Sequence, residues 1–157
     1  MKKIIYIVTV FINLNLNSQT NYSEAYFASG CFWCVESIYE SLNGVSEVQS
    51  GYSGGNTNNP DYYQVLTGKT GHAETVKVIY DSKKISFKKL VEVFFASHDP
   101  TTLNRQGPDI GTHYRSIAFY KNESEKNIIK NEIQRLLNNK IYKRIVTQVT
   151  KFEIFYI

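Results

Sequence analysis

Residues 24–42 read EAYFASGCFWCVESIYESL, and the organisation of the chain is decided there. Glu24–Ser29 is a strand that Gly30 ends. From Cys31 the period changes. Val35, Ile38, Tyr39 and Leu42 fall at i, i+3, i+4 and i+7, which is the apolar stripe of a helix over Cys31–Leu42. The unit is strand, glycine, helix. Both cysteines of the chain, Cys31 and Cys34, belong to that turn and the helix it starts.

Working outward, Val45–Tyr52 alternates weakly as a strand, and Ser53–Pro60 (SGGNTNNP) is turn chemistry throughout. Asp61–Leu66 is a short helical turn, and His72–Asp81 is a strand. Ser86 caps a helix that runs to Ser97, with Phe87, Leu90, Val91, Phe94 and Phe95 on one face. His98–Thr112 is a long polar loop and His113–Tyr120 a strand. Asn122 and Glu125 have capping-box spacing and start a helix to about Asn138, with Ile129, Ile133, Leu136 and Leu137 inward. Ile145–Val149 and Phe152–Tyr156 close the chain as strands. Some strands follow one another without a helix, so an α+β or mixed α/β fold is expected, with helices packed on one sheet in two layers. Loops longer than about 12–15 residues are usually functional. His98–Thr112, Ser53–Pro60 and the Gly30-Cys31 turn are therefore expected to form the site.

The length, 157 residues, suits one domain. Apolar residues make up 42% and charged residues 20%, which excludes a disordered, collagen-like or coiled-coil chain. Net charge is +4 without a Lys/Arg-rich run, so nucleic acid is not an expected partner. Met1-Lys2-Lys3 followed by the apolar run Ile4–Leu14 reads as a secretory signal; the run is too short to span a bilayer. Residues 1–18 are the expected signal peptide, with cleavage before Gln19, and residues 19–157 the mature domain. No cysteine follows the run, so no lipid attachment or stable membrane association is expected. The alternative is an ordinary N-terminal strand and a cytoplasmic protein. Export, to the periplasm, places the chain where disulfides are permitted.

Gly30-Cys31-Phe32-Trp33-Cys34 admits several readings. A structural disulfide would close almost no loop, where closing a long one stabilises most. A zinc site would need two more ligands, and His72, His98 and His113 have no paired spacing. Redox or nucleophilic chemistry fits better. In the first helical turn, unpaired N–H groups and the helix dipole favour a Cys31 thiolate, and Gly30 lets a substrate approach it. Cys34 lies one turn on. The same C-x-x-C would suit a general thiol–disulfide oxidoreductase.

Gly30-Cys31-Phe32-Trp33 with Glu36 resembles the signature of A-type peptide methionine sulfoxide reductases. Five further blocks follow in order: Gly51-Tyr52-Ser53-Gly54-Gly55, Pro60-Asp61-Tyr62, Gly71-His72-Ala73-Glu74, His98-Asp99-Pro100-Thr101, and Asn104-Arg105-Gln106-Gly107-Pro108-Asp109. Gly111-Thr112-His113-Tyr114-Arg115-Ser116 completes the set, and the resemblance spans about Tyr26 to Tyr156. It implies reduction of methionine-S-sulfoxide, free or in oxidised proteins, on a ferredoxin-like sandwich with long loops around the site. It needs no cofactor and no metal. The resemblance implies Cys31 as nucleophile, Glu74 as proton donor, and Tyr62 and Tyr114 as hydroxyls on the sulfoxide oxygen. It also makes Phe32 and Trp33 the cage for the S-methyl group, and puts Asp109 close by. Glu74 shares a strand face with Val76, Val78 and Tyr80, and apolar surroundings raise a carboxyl pKa.

The chain departs from the family pattern twice. Many relatives have Gly where Cys34 stands and use a cysteine in a C-terminal tail; relatives usually continue past the position of Ile157. Cys34 is then the internal candidate to resolve the Cys31 sulfenic acid as a Cys31–Cys34 disulfide, recycled by a thioredoxin-like reductant. A monomer is expected. A domain that binds oxidised methionine without turnover is a further reading.

Overall fold

The computed structural model describes residues 22–157. The expected signal peptide, residues 1–18, lies outside the described residues. The elements run β1 (Tyr22–Ala28), α1 (Phe32–Glu40), β2 (Val45–Ser53), α2 (Tyr62–Leu66), β3 (Ala73–Asp81) and α3 (Phe87–Ser97). They continue with β4 (Arg105–Gln106), β5 (Asp109–Ile110), a 3-10 turn (Thr112–Tyr114), β6 (Ile117–Tyr120), α4 (Glu123–Asn138) and β7 (Gln148–Lys151). The main sheet has the order β2-β3-β1-β6-β7. β3 lies antiparallel between β1 and β2, and β6 antiparallel beside β1. That is the split β-α-β arrangement of a ferredoxin-like sandwich. β7 extends it as a parallel edge on β6 and makes the sheet mixed.

Strand alternation sends side chains to two different cores. From β1, Ala25 and Phe27 join Val76 and Val78 of β3 under α1 and α3. Phe27 stacks on Tyr39 at 5.4 Å and on Phe94 at 5.2 Å. Phe87, Leu90, Val91, Phe94 and Phe95 are all buried, as their spacing predicts. Each such side chain contributes about 1.5–3 kcal/mol on burial. Tyr26 and Ala28 point the other way, with Ala73, Ile117 and Phe119, and are covered by Phe152 and Phe155. The C-terminal segment thus adds a partial cover on the face opposite the helices, which a two-layer reading does not include.

Four boundaries differ from the sequence expectation. The first is at Cys31, which is the N-cap of α1 with ψ 117° and so lies outside the helix; Ser41 ends it, short of Leu42. The loop His98–Thr112 contains the β4–β5 hairpin. His113 and Tyr114 lie in the 3-10 turn, so the strand begins only at Ile117. The closing strands merge into one. Val146 N–H donates to the Pro100 carbonyl, and pairing with β6 starts at Gln148. Tyr156 makes a single antiparallel bridge to Tyr52. Among the described residues, no helix is long and apolar enough to cross a membrane.

Candidate active site

Cys31 is delivered by β1 through Gly30, whose φ of +95° turns the chain toward α1. The Gln106 side chain packs against Gly30: a Cβ there would come within 2.7 Å of it. The Cys31 carbonyl accepts the N–H of Cys34 at 3.1 Å and of Val35 at 3.3 Å. Its side chain caps nothing, which leaves the sulfur available.

The first N–H of α1 is satisfied from another element. Phe32 N–H donates to Glu74 Oε2 at 3.0 Å. Glu74 sits near the start of β3, 2% exposed, on the face of Val76 and Val78. Burial pushes its carboxyl up to about 7; the Phe32 N–H opposes the rise and the Asp109 charge adds to it. Burial outweighs the stabilisation that a helix N-terminus offers an anion. Because Oε2 accepts from Phe32, the neutral acid carries its proton on Oε1. A carboxyl so poised is half protonated near pH 7 and can donate.

Aromatic rings line the approach. The Phe32 ring, buried, lies 5.3 Å from Trp33, 5.8 Å from Tyr52 and 6.5 Å from Tyr62. Trp33 is 63% exposed and forms the rim, 6.2 Å from Tyr62. Tyr62 opens α2, which is fixed by a reciprocal cap: Gln64 N–H donates to Asp61 Oδ1, and Asp61 N–H to Gln64 Oε1. Tyr114 comes from the 3-10 turn, its ring 4.1 Å from His113. Burial pushes the Tyr114 phenol up to about 12, with Glu74, Asp109, Tyr62 and Cys31 adding to the rise. Its hydroxyl remains a donor at neutral pH, and residues of four separate segments act on it. Asp109, half-buried in the β4–β5 hairpin, acts on Glu74, Cys34, His113 and Tyr114.

Cys34 is exposed, and both cysteines are free thiols. Its thiol is raised chiefly by Cys31, then by burial and a side-chain hydrogen bond with Cys31. The two thiols are therefore near enough to act on one another. Cys31, with ψ 117°, is not bound to regular helical geometry relative to Cys34.

A family model described as peptide methionine sulfoxide reductase matches residues 23–157. The chain belongs to that family. It is 53% identical to a peptide methionine sulfoxide reductase MsrA of Trichodesmium erythraeum over 81% of this chain and 72% of the relative. It is 49% identical to an MsrA of Saccharolobus solfataricus over 84% and 74%. The reduced form of Mxr1 from Saccharomyces cerevisiae superposes with a TM-score of 0.79 at 32% identity, over 86% of this chain and 78% of that one.

For this reductase family member, the structure gathers Cys31, Cys34, Phe32, Trp33, Tyr62, Glu74, Asp109 and Tyr114 around one face. Sequence reasoning assigned no part to Tyr52, which is 7% exposed, pairs in register with Glu74 and touches Phe32. The signal was there in the Gly51–Gly55 block, but its meaning depends on the β2–β3 register. A cavity of about 290 Å³ between α3 and α4, lined by Lys88, Ile128, Asn131, Glu132 and Arg135, contains none of these residues.

Proposed function

We propose that the protein reduces methionine-S-sulfoxide, free or in oxidised proteins, to methionine, and so repairs oxidative damage. The observation that carries this reading is the buried Glu74 carboxyl bonded to Phe32 N–H, one residue from the Cys31 sulfur. Cys31, as thiolate, attacks the sulfoxide sulfur. Glu74 supplies the proton to the sulfoxide oxygen, which the Tyr62 and Tyr114 hydroxyls hold. The oxygen passes to Cys31 as a sulfenic acid and the thioether leaves, so the methionine sulfur gains the two electrons that Cys31 loses. Phe32 and Trp33 flank the S-methyl group, and aromatic faces suit a polarisable thioether. Asp109 holds negative charge beside the acid and favours its protonated form.

Cys34 then attacks the Cys31 sulfur. A disulfide forms and water leaves. A thioredoxin-like dithiol reduces the pair and becomes the disulfide itself. The mutual influence of the two thiols and the exposure of Cys34 support this step. Methionine-S-sulfoxide with dithiothreitol, product methionine read by chromatography, tests the whole reading. Turnover that Cys31→Ser abolishes is expected. Activity on disulfides alone would indicate a general oxidoreductase, and binding without turnover an oxidised-methionine receptor. Stoichiometric sulfoxide without reductant tests the second step. A Cys31–Cys34 disulfide in the peptide map is expected; a dimedone-trapped Cys31 sulfenic acid beside free Cys34 would defeat it.

Export belongs to the same proposal, supported by Lys2, Lys3 and the apolar Ile4–Leu14 run. A mature N-terminus near Gln19 is expected in the periplasmic fraction; intact Met1 in the cytoplasm would overturn it.

A further inference from the structure

We infer that Arg115 is a positioning residue for this reaction, its guanidinium clamping together the end of β2, the start of β3 and the 3-10 turn, the segments that carry Tyr52, Glu74 and Tyr114. The inference rests on the function proposed above. Arg115 follows the 3-10 turn directly. Its Nη1–H donates to the Thr112 carbonyl at 2.9 Å. Its Nη2 donates to the Gly71 carbonyl at 2.9 Å and the Gly54 carbonyl at 3.3 Å. Its Nε–H donates to Gln148 Oε1 at 3.2 Å.

Three of the four acceptors are close in sequence to a side chain of the site. Gly54 is two residues past Tyr52, Gly71 three before Glu74, and Thr112 two before Tyr114. Gly54 and Gly71 have φ of +78° and +73°. A side chain on Gly54 would come within 3.4 Å of Nη2. All four acceptors are carbonyl oxygens, and no ion pair to Arg115 occurs among the described residues. A cation drawn partly out of water without a carboxylate is costly. What a planar fork of fixed donors gains there is simultaneous reach to several loops, which an ammonium cannot match. Arg115 is not among the groups that shift Glu74. Its action is therefore mechanical: it fixes where the acid and the hydroxyl stand.

Arg115→Lys and Arg115→Ala test this, with folding checked by circular dichroism and thermal midpoint. Misplacement of about 1 Å costs about 100-fold, and a fall of that order in kcat with KM little changed is expected. Millimolar guanidinium should restore Arg115→Ala, whereas ammonium should not. A carboxyl NMR titration gives a readout independent of turnover. Glu74 should titrate lower in Arg115→Lys, because water reaches the loosened start of β3. A folded Arg115→Lys with wild-type kcat and unchanged Glu74 titration overturns the inference. If both variants unfold, Gln148→Ala removes one bond from the solvent side. A several-fold fall in kcat supports the clamp there, and no change overturns it. A wild-type protein unable to reduce the sulfoxide would instead sink the functional reading, and the Glu74 titration would still judge the clamp.

Discussion

Glu74 on β3 and Glu132 on α4 are both buried, at 2% and 4% exposure, yet their protons are held in opposite ways. Burial raises the Glu74 carboxyl to about 7; the one backbone N–H it accepts opposes the rise and the negative charge of Asp109 adds to it. Glu132 accepts two bonds from Arg135, Nε–H at 2.8 Å and Nη2–H at 2.6 Å. That guanidinium, one helical turn along, holds the Glu132 carboxyl below its ordinary value despite burial. Burial by itself raises a carboxyl, and one backbone N–H does not undo it; a guanidinium partner does, and reverses the direction. One glutamate is a proton store beside a sulfur, and the other is a strut in a helix.

The largest test of that contrast is Glu74→Gln. The amide keeps an acceptor for Phe32 N–H and loses the proton. General acid catalysis is worth about 10²–10⁴-fold, and kcat/KM at neutral pH should fall within that range. The deficit should shrink at low pH, where solvent supplies protons. Wild-type kcat/KM should decline as pH rises through about 7. A variant that keeps the same pH profile would show that the proton comes from elsewhere.

Stability should report the same carboxyl. A folded value of about 7 against an ordinary 4.5 means that the folded chain keeps a proton the unfolded chain has released. The favourable contribution is complete below pH 4.5 and is lost as pH rises through about 7. The window corresponds to about 3 kcal/mol. Urea titrations across it should show wild type losing stability while Glu74→Gln stays flatter and is the more stable above pH 7. Parallel curves would mean that Glu74 ionises normally in the fold.

Glu132→Gln is the counterpart, with a smaller effect of the other sign. Its folded value lies below its unfolded one, so its contribution is present above the ordinary carboxyl range and is lost as pH falls. Arg135 is half-exposed, which leaves it solvated when the partner goes. A loss of about 1–2 kcal/mol is expected by urea denaturation at pH 7, with kcat unchanged. A fall in kcat would tie α4 to the site and weaken the division between the two carboxyls.

Local pattern made one of these glutamates readable and concealed the other. The two-residue period of β3 puts Glu74 with Val76 and Val78, and burial there is as expected. Glu132 lies on the buried side of α4 between Ile129 and Leu136, where a polar residue gives no sign that Arg135 will pair with it. The same divide runs through the fold. α3 was legible because Ser86 caps it, accepting Lys89 N–H at 3.2 Å, and its five apolar positions share one face. α4 was legible from Asn122, which accepts Glu125 N–H at 2.9 Å. The segment before β6 was not, since the Thr112–Tyr114 turn is tied by Arg115 to the distant Gly54 and Gly71 carbonyls. Nor was the parallel β6–β7 edge, which depends on where the chain returns after α4. At the site, Cys31 and Glu74 could be read from motif and period. Tyr52 and Arg115 could not, because their roles exist only through register and loop closure.

Glu24→Gln, the smallest effect, separates the two factors. Glu24 on β1 meets Lys77 Nζ at 2.9 Å, close to the distances in the Glu132 pair, and accepts the Tyr26 hydroxyl at 2.9 Å. Its carboxyl is lowered chiefly by the Lys77 bond, the same direction as Glu132. Its side chain is 42% exposed, however. Water screens the pair, and two flexible side chains lose freedom to hold it. If a cationic partner fixes the direction and burial the size, the loss should stay below about 1 kcal/mol. It should also fade in 1 M salt, where the Debye length is about 3 Å. The Glu132→Gln loss, with its carboxylate buried, should keep most of its size in the same buffer. Urea midpoints of wild type and both variants, at low and high salt, measure the difference directly. Equal losses with equal salt dependence would mean that burial does not scale these pairs. The Glu74 shift would then have to be assigned to Asp109 rather than to exclusion of water.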